Sequence, residues 1–174
     1  LAEKKIFDLL LDFGEHNEEP MFVMHDIKCE EKNPKFMNRT QDQKENNIRG
    51  EHDFVIIHRM KGLIFFKVKA EITPGDNIPE ARNQLTKDKN FLAHLILNHF
   101  KGELQNKMRK EFSNAKKYVV MPNVWRCGSP HCSNEIFLED CVTVKAFSTW
   151  WRKNILCRTD RVPDQEVYEC LVMG

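Results

Sequence analysis

The stretch Asp53-Phe-Val-Ile-Ile-His58, then Arg59-Met-Lys-Gly62, then Leu63-Ile-Phe-Phe-Lys-Val-Lys-Ala70 decides the fold. Its two flanks are β-branched and aromatic, which suits a pleated surface, and the polar link between them ends in glycine, so they predict a hairpin. Both runs are apolar on successive residues rather than on alternate ones, which predicts burial on both faces, near the middle of a sheet. Charges at the far ends of the hairpin conflict with that burial, because an unpaired charge inside a sheet costs on the order of several kcal/mol. Side chains alternate along a strand, so Glu51 and Asp53 share one face, and Lys67, Lys69 and Glu71 share one face of the next strand. Pairing can therefore bring Asp53 close to Lys67 and Lys69. The plain alternative is that all three sit at strand ends and reach solvent; periodicity alone leaves both open.

Toward the N-terminus, residues 2–13 carry Ile6, Leu9, Leu10 and Phe13 at helical spacing, and Gly14 is placed to end the helix. Met21 to Ile27 predicts a strand. Residues 28–50 are polar, contain Pro34 and the run Gln41 to Asn47, and read as a long loop or mobile insertion. Toward the C-terminus, Thr73 to Asn77 reads as a turn and Pro79 as the first position of a helix. Ala81, Leu85, Leu92, Leu95, Ile96 and Phe100 form its stripe, with Gly102 as a candidate break before Leu104 and Met108. Lys117 to Met121 predicts a strand closed by Pro122, followed by a loop over 123–134. Cys141 to Phe147 is strand, or runs into a helix through Trp150 and Trp151; residues 152–174 give no clear pattern. Helix, strand, hairpin, long helix and strand, in that order, imply an α/β fold with a central mixed β-sheet flanked by helices.

The chain has 174 residues, 41% hydrophobic and 30% charged, enough for one domain with a real core and unlike a disordered segment. A formal net charge of +1 excludes a globally cationic polyanion binder, so any phosphate-binding surface must come from local clustering. No apolar run approaches the ~18 residues that a membrane span needs. The start at Leu1 has neither an initiator Met nor a signal-type apolar core, which suggests a piece of a longer protein. Cysteines 29, 127, 132, 141, 157 and 170 are sparse and irregular. That pattern favours reduced thiols over a disulfide framework, hence an intracellular setting, nuclear or cytoplasmic.

Gly50-Glu-His-Asp-Phe-Val-Ile-Ile57, followed by Lys61-Gly-Leu-Ile-Phe-Phe-Lys-Val-Lys-Ala70, resembles the core of the nuclease-related (NERD-like) domain of the PD-(D/E)xK superfamily. That pattern is Gly-Glu-x-Asp on one strand and Glu-x-Lys on the next. Glu3 in the first helix, Gln84 in the helix after the motif and Tyr118 to Pro122 extend the likeness. It covers residues 1–122, with 28–50 as an insertion and 123–174 as a C-terminal extension packed on the same domain. The resemblance implies a restriction-endonuclease-like core and metal-dependent cleavage of nucleic acid, DNA rather than RNA, in which carboxylates hold magnesium or manganese. By the same resemblance, Asp53 is the central metal ligand, Lys69 the catalytic lysine, Gln84 an orienting group and Glu3 an aid at the metal. It also suggests attachment to further domains such as a helicase.

The departure is Lys67, which stands where the pattern has Glu. A cation repels a divalent metal and can instead pair with Asp53. Three readings follow: a natural pseudo-nuclease that binds without cutting, a replacement introduced to silence the domain, or an acid that has moved. For the last, Glu80, one helical turn from Gln84 and a candidate metal ligand, and Glu71, on the Lys69 face, are the candidates. Glu80 is equally explained as a favourable acid in a first helical turn.

Residues 101–117 hold six basic side chains against two acidic ones, and Lys107, Arg109 and Lys110 are the candidates for phosphate contact. The plain reading is a solvated helix face. Cys127 and Cys132, with His131 and Cys141 nearby, are too loosely spaced to make zinc the favoured reading. His94 and His99 do not share a helix face. Trp150 and Trp151 suit a core contact better than base stacking.

Overall fold

The computed structural model describes residues 1–30, 49–71, 78–126, 134–159 and 161–173. Among the described residues, five strands form one sheet in the order β1 (Met21–Glu30), β2 (Arg49–His58), β3 (Gly62–Val68), β4 (Lys116–Val120) and β5 (Glu135–Ile136). β1, β2 and β3 are antiparallel neighbours, whereas β3, β4 and β5 run parallel. A parallel pair needs a crossover. Between β3 and β4 it is made by α2 (Ile78–Leu97) and α3 (Gly102–Ser113). The remaining helices are α1 (Ala2–Asn17), α4 (Leu138–Cys141), α5 (Val144–Trp151) and α6 (Gln165–Met173), with a π-helical turn at Arg152–Leu156. The fold is α/β: a mixed sheet with helices packed on it.

The hairpin is buried on both sides because helices cover both faces. Val55, Ile57, Leu63 and Phe65 pack with Leu85 and Leu92 of α2, Met108 and Phe112 of α3 and Val167 of α6. Phe54, Ile56, Ile64 and Phe66 pack with Ile6, Leu10 and Phe13 of α1 and with Phe147, Trp150 and Trp151 of α5. Each such large side chain contributes ~1.5–3 kcal/mol by leaving water. Trp150 and Trp151 are thus core residues, clustered with Phe13, Phe147 and Tyr118.

One irregularity positions the site. Asp26 has φ of +50°, a left-handed conformation that Asp tolerates better than most residues. The β1–β2 register is the same on both sides of it, His25 opposite Phe54 and Ile27 opposite His52. Yet His25 packs on Phe7 of α1, while Ile27 packs with the α2-side cluster. On β2, likewise, Phe54 belongs to the α1 side and His52 lies against Phe65, on the α2 side. The in-out alternation therefore reverses between residues 52 and 54, and this brings His52 under α2.

Several boundaries differ from the sequence expectation. Residues 28–30 and 49–50, read as loop, extend β1 and β2, because ladder hydrogen bonds do not require apolar side chains. Gly14 does not end α1; the helix runs to Asn17, and Glu18 at φ +50° closes it in the left-handed conformation. The candidate break at Gly102 does hold: the long helix is two helices, and Gly102 at φ +65° opens the second. Of the two readings open for Cys141 to Phe147, the helical one holds: α4 ends at Cys141 and α5 starts at Val144, with Thr143 capping α5 by accepting the Ala146 N–H at 3.1 Å. The two-residue β5 and helix α6 were not foreseen. The rest of the expected insertion, 31–48, and the turn at 73–77 lie outside the described residues, as do Cys127, His131 and Cys132. Among the described residues no helix is long and apolar enough to cross a membrane.

Candidate functional site

The β2–β3 ladder makes its last bridge at Phe54 opposite Phe66. One step further, Asp53 and Lys67 face each other. Lys67 Nζ donates to Asp53 Oδ1 at 2.9 Å, and the Val68 backbone N–H donates to Oδ2 at 2.6 Å. The two side chains are only 6% and 14% exposed. The plain reading of charges at strand ends that reach solvent does not hold: Asp53 lies within β2, Lys67 is next to last in β3, and the two charges meet each other. At 2.9 Å the Coulomb attraction is on the order of 5 kcal/mol for an effective dielectric of ~20, before the desolvation that offsets much of it.

Beside this pair lies a buried group that the sequence reading did not single out. His52 is 1% exposed and packs against Phe65 at 5.7 Å between ring centroids. Neither ring nitrogen has a hydrogen-bond partner among the described residues. Burial holds its imidazole below its ordinary pKa; Asp88 raises it, Lys67 lowers it and Asp53 raises it again, each by a smaller amount. Asp88 projects from α2, is itself buried, and has one carboxylate oxygen bound by Gln84 Nε2 at 2.8 Å and the other unpartnered among the described residues. The room beneath α2 is tight. A Cβ on Gly50 would come within 2.8 Å of Phe91, so glycine is needed there for the helix to approach.

The structure thus gathers Asp53, Lys67, His52 and Asp88 beneath α2, and Gln84 joins through Asp88. Lys69 lies half-buried just past β3, with its N–H on Val120 O at 2.8 Å. Glu71 and Glu80 are exposed, Glu80 in the first turn of α2. Glu3 is exposed in the first turn of α1, a helix packed on the opposite face of the sheet. Lys107 is not a bare cation, because Asp164 and Glu166 at the start of α6 meet it at 3.3 and 3.2 Å. Arg109 and Lys110 are exposed on α3, Arg109 donating to Asn106 Oδ1 at 3.0 Å. Cys141 is buried and donates to Phe137 O, and burial pushes its thiol up to about 11, the opposite of what a zinc ligand needs.

A hard divalent cation needs several oxygen donors with free lone pairs. Asp53 offers one carboxylate, one oxygen of which faces an ammonium and the other a backbone N–H. Among the described residues, no three His, Cys, Asp or Glu side chains converge in a way that could hold a metal ion. As the chain stands, this donor set does not fit magnesium or manganese.

His52 was hidden by strand alternation, which puts it and Asp53 on opposite faces; only the reversal at Asp26 undoes that. Asp88 carried a weak signal, being four residues beyond Gln84 and so its neighbour on a helix. The salt bridge from Arg82 of α2 to the buried Glu135 of β5 had none, since β5 itself was not foreseen. Compared with family models, with curated proteins and with solved structures, the chain finds no match in any of the three.

Proposed function

We propose that this chain is a nucleic-acid-binding domain with a restriction-endonuclease-like core, whose cleavage site is closed by Lys67. The observation that carries the reading is the pairing of Lys67 Nζ with Asp53 Oδ1, with the Val68 N–H on Oδ2. In the resembled pattern the residue at 67 is an acid that would share a divalent cation with Asp53. Here an ammonium supplies positive charge from within the hairpin, and the carboxylate is neutralised without a metal. The α/β architecture and the position of the acid–lysine pair at the end of a central hairpin support the nuclease-type reading. Lys69, half-buried beside the pair, would meet a phosphate rather than activate water. Partners implied are nucleic acid, DNA before RNA, and further domains of a longer chain.

The test is nicking of supercoiled plasmid and cleavage of single-stranded DNA with manganese, using the chain itself, Lys67→Glu, and Lys67→Glu/Asp53→Ala. The expected result is no cleavage by the chain, cleavage by Lys67→Glu and none by the double variant. Cleavage by the unaltered chain would sink the closed-site reading and turn attention to Glu80, Glu71 and Asp88. DNA binding without cleavage by any of the three would leave a binding module whose likeness to nucleases is one of fold alone.

A further inference from the structure

Of the three tryptophans in the chain, Trp150 and Trp151 are 6% and 0% exposed, whereas Trp125 is 65% exposed. The base stacking that the sequence set against a core role for Trp150 and Trp151 is therefore closed to both and open to Trp125. Trp125 lies in the segment 122–126, between β4 and β5.

Looseness of that segment does not account for the exposure. Pro122 O accepts from Lys5 Nζ of α1 at 2.8 Å, and Asn123 Nδ2 donates to Ala70 O at 3.2 Å. The Val124 N–H donates to Met121 O at 3.2 Å, and Val124 O accepts the Leu138 N–H of α4 at 2.9 Å. The Arg126 guanidinium lies 4.8 Å from the centroid of the Phe137 ring and donates to Asp140 Oδ2 at 2.7 Å. Each residue of 122–126 is thus tied down except Trp125, which has no hydrogen bond or ring contact among the described residues. An indole held out by a pinned backbone is preorganised, so little freedom is lost when a flat partner stacks on it.

Its place in the fold suggests the partner. β3 and β4 run parallel, with Lys67 opposite Val119 and Val68 opposite Val120, so both strands finish at the same end of the sheet. The Asp53–Lys67 pair sits at that end. The Lys69 N–H on Val120 O and the Asn123 bond to Ala70 O join the end of β3 to the segment that carries Trp125. Phosphates are offered by paired and unpaired strands alike, but a base inside a duplex has both faces covered by its neighbours, and only an unpaired base can lie on an indole. We infer that Trp125 is a stacking platform for an unpaired base, which makes the strand bound at this end of the sheet single-stranded. This assignment rests on the nucleic-acid-binding function proposed above and adds the substrate class to it.

The burial of Trp150 and Trp151 makes quenching of the exposed-indole emission a report on Trp125. The test follows that emission while the unaltered chain is titrated with a 12-nucleotide oligothymidylate and with a 12-base-pair duplex. Anisotropy of the same DNAs, fluorescein-labelled, then compares the chain with Trp125→Ala and Trp125→Phe. Expected are quenching by the single strand and not by the duplex, and a loss of single-strand affinity of at least ~5-fold in Trp125→Ala. Trp125→Phe, which keeps a ring, should retain most of that affinity, and duplex binding should be the same in all three proteins. Single-strand binding that leaves the emission unmoved and is equal in Trp125→Ala would overturn the platform and leave the nucleic-acid reading intact. Quenching by the duplex as strong as by the single strand would overturn the preference for unpaired bases. Binding of neither DNA by the unaltered chain would overturn the platform and the nucleic-acid reading together. The emission titration needs no variant, so it decides even where Trp125→Ala does not fold.

Discussion

His52 and His58 lie six residues apart on β2, each 1% exposed, and burial holds both imidazoles below their ordinary pKa. Their surroundings differ. His58 Nε2 lies 2.9 Å from Glu19 Oε2, and its Nδ1 lies 3.1 Å from each of the Met60 and Lys61 backbone nitrogens. Two N–H groups pointing at Nδ1 require it to be an acceptor, so the ring is the neutral Nε2–H tautomer and its contact with Glu19 is a hydrogen bond. His58 is therefore a satisfied structural residue that holds the hairpin turn to the end of α1. His52 has no such partners among the described residues, and its neighbours are the charges of Asp88, Lys67 and Asp53. One strand thus carries a finished polar site at its hairpin end and an unfinished one beneath α2. Equal burial and identical chemistry do not separate a satisfied histidine from an unsatisfied one; the accounting of hydrogen bonds does.

The largest effect that would test this contrast is expected at the charged pair. Asp53→Ala strands the Lys67 ammonium and the Val68 N–H, and should cost ~3–5 kcal/mol in urea unfolding. Asp53→Asn/Lys67→Met should recover most of that loss, because the buried charges leave together. If Asp53→Ala is nearly neutral, the pair is solvent-relaxed and the closed-site argument fails.

The histidines should then give opposite signs. His58→Leu removes the partner of a nearly buried Glu19 and the acceptor of two turn N–H groups, a loss of ~3 kcal/mol. His52→Leu replaces unpaired buried nitrogens with carbon and should stabilise by ~1 kcal/mol, raising Tm by a few degrees. Losses of similar size at both positions would show that His52 is as well satisfied as His58, and the contrast would be void.

The smallest expected effect is in pH dependence. Both native imidazoles are depressed below the unfolded value of ~6.5, so below that pH the unfolded chain binds protons that the native state refuses. The stability they contribute is present above pH ~6.5. It is lost as pH falls from there toward the depressed native values, by at most ~1.4 kcal/mol per unit for each histidine. Unfolding free energies of the chain and of His52→Leu, measured from pH 7.5 to 5, should show a shallower fall in the variant. Parallel curves would mean that His52 titrates alike in both states.

Much of the scaffold was legible because it follows from local chemistry. The consecutive apolar runs 54–57 and 63–66 announced a hairpin covered on both faces, and the core clusters place both runs there. The Lys67 departure and its pairing with Asp53 could be foreseen, since cross-strand neighbours follow from strand parity and a turn. The Lys107, Arg109 and Lys110 run was legible as charge but not as charge already partnered, because the acids on Lys107 come from Asp164 and Glu166, nearly 60 residues away.

The amino-acid sequence by itself determined the hairpin, the helical stripes, the α/β class and the conflict between Lys67 and a divalent metal, because each depends on neighbours in the chain or on strand parity. Only the tertiary structure decided that His52 lies on the α2 side with Asp88 and that His58 is satisfied by Glu19. Those outcomes turn on a reversal of strand alternation at Asp26 and on contacts between segments far apart in the chain. Local patterns do not encode which distant groups share a volume; packing sets that, and packing therefore decides which buried polar atoms find partners.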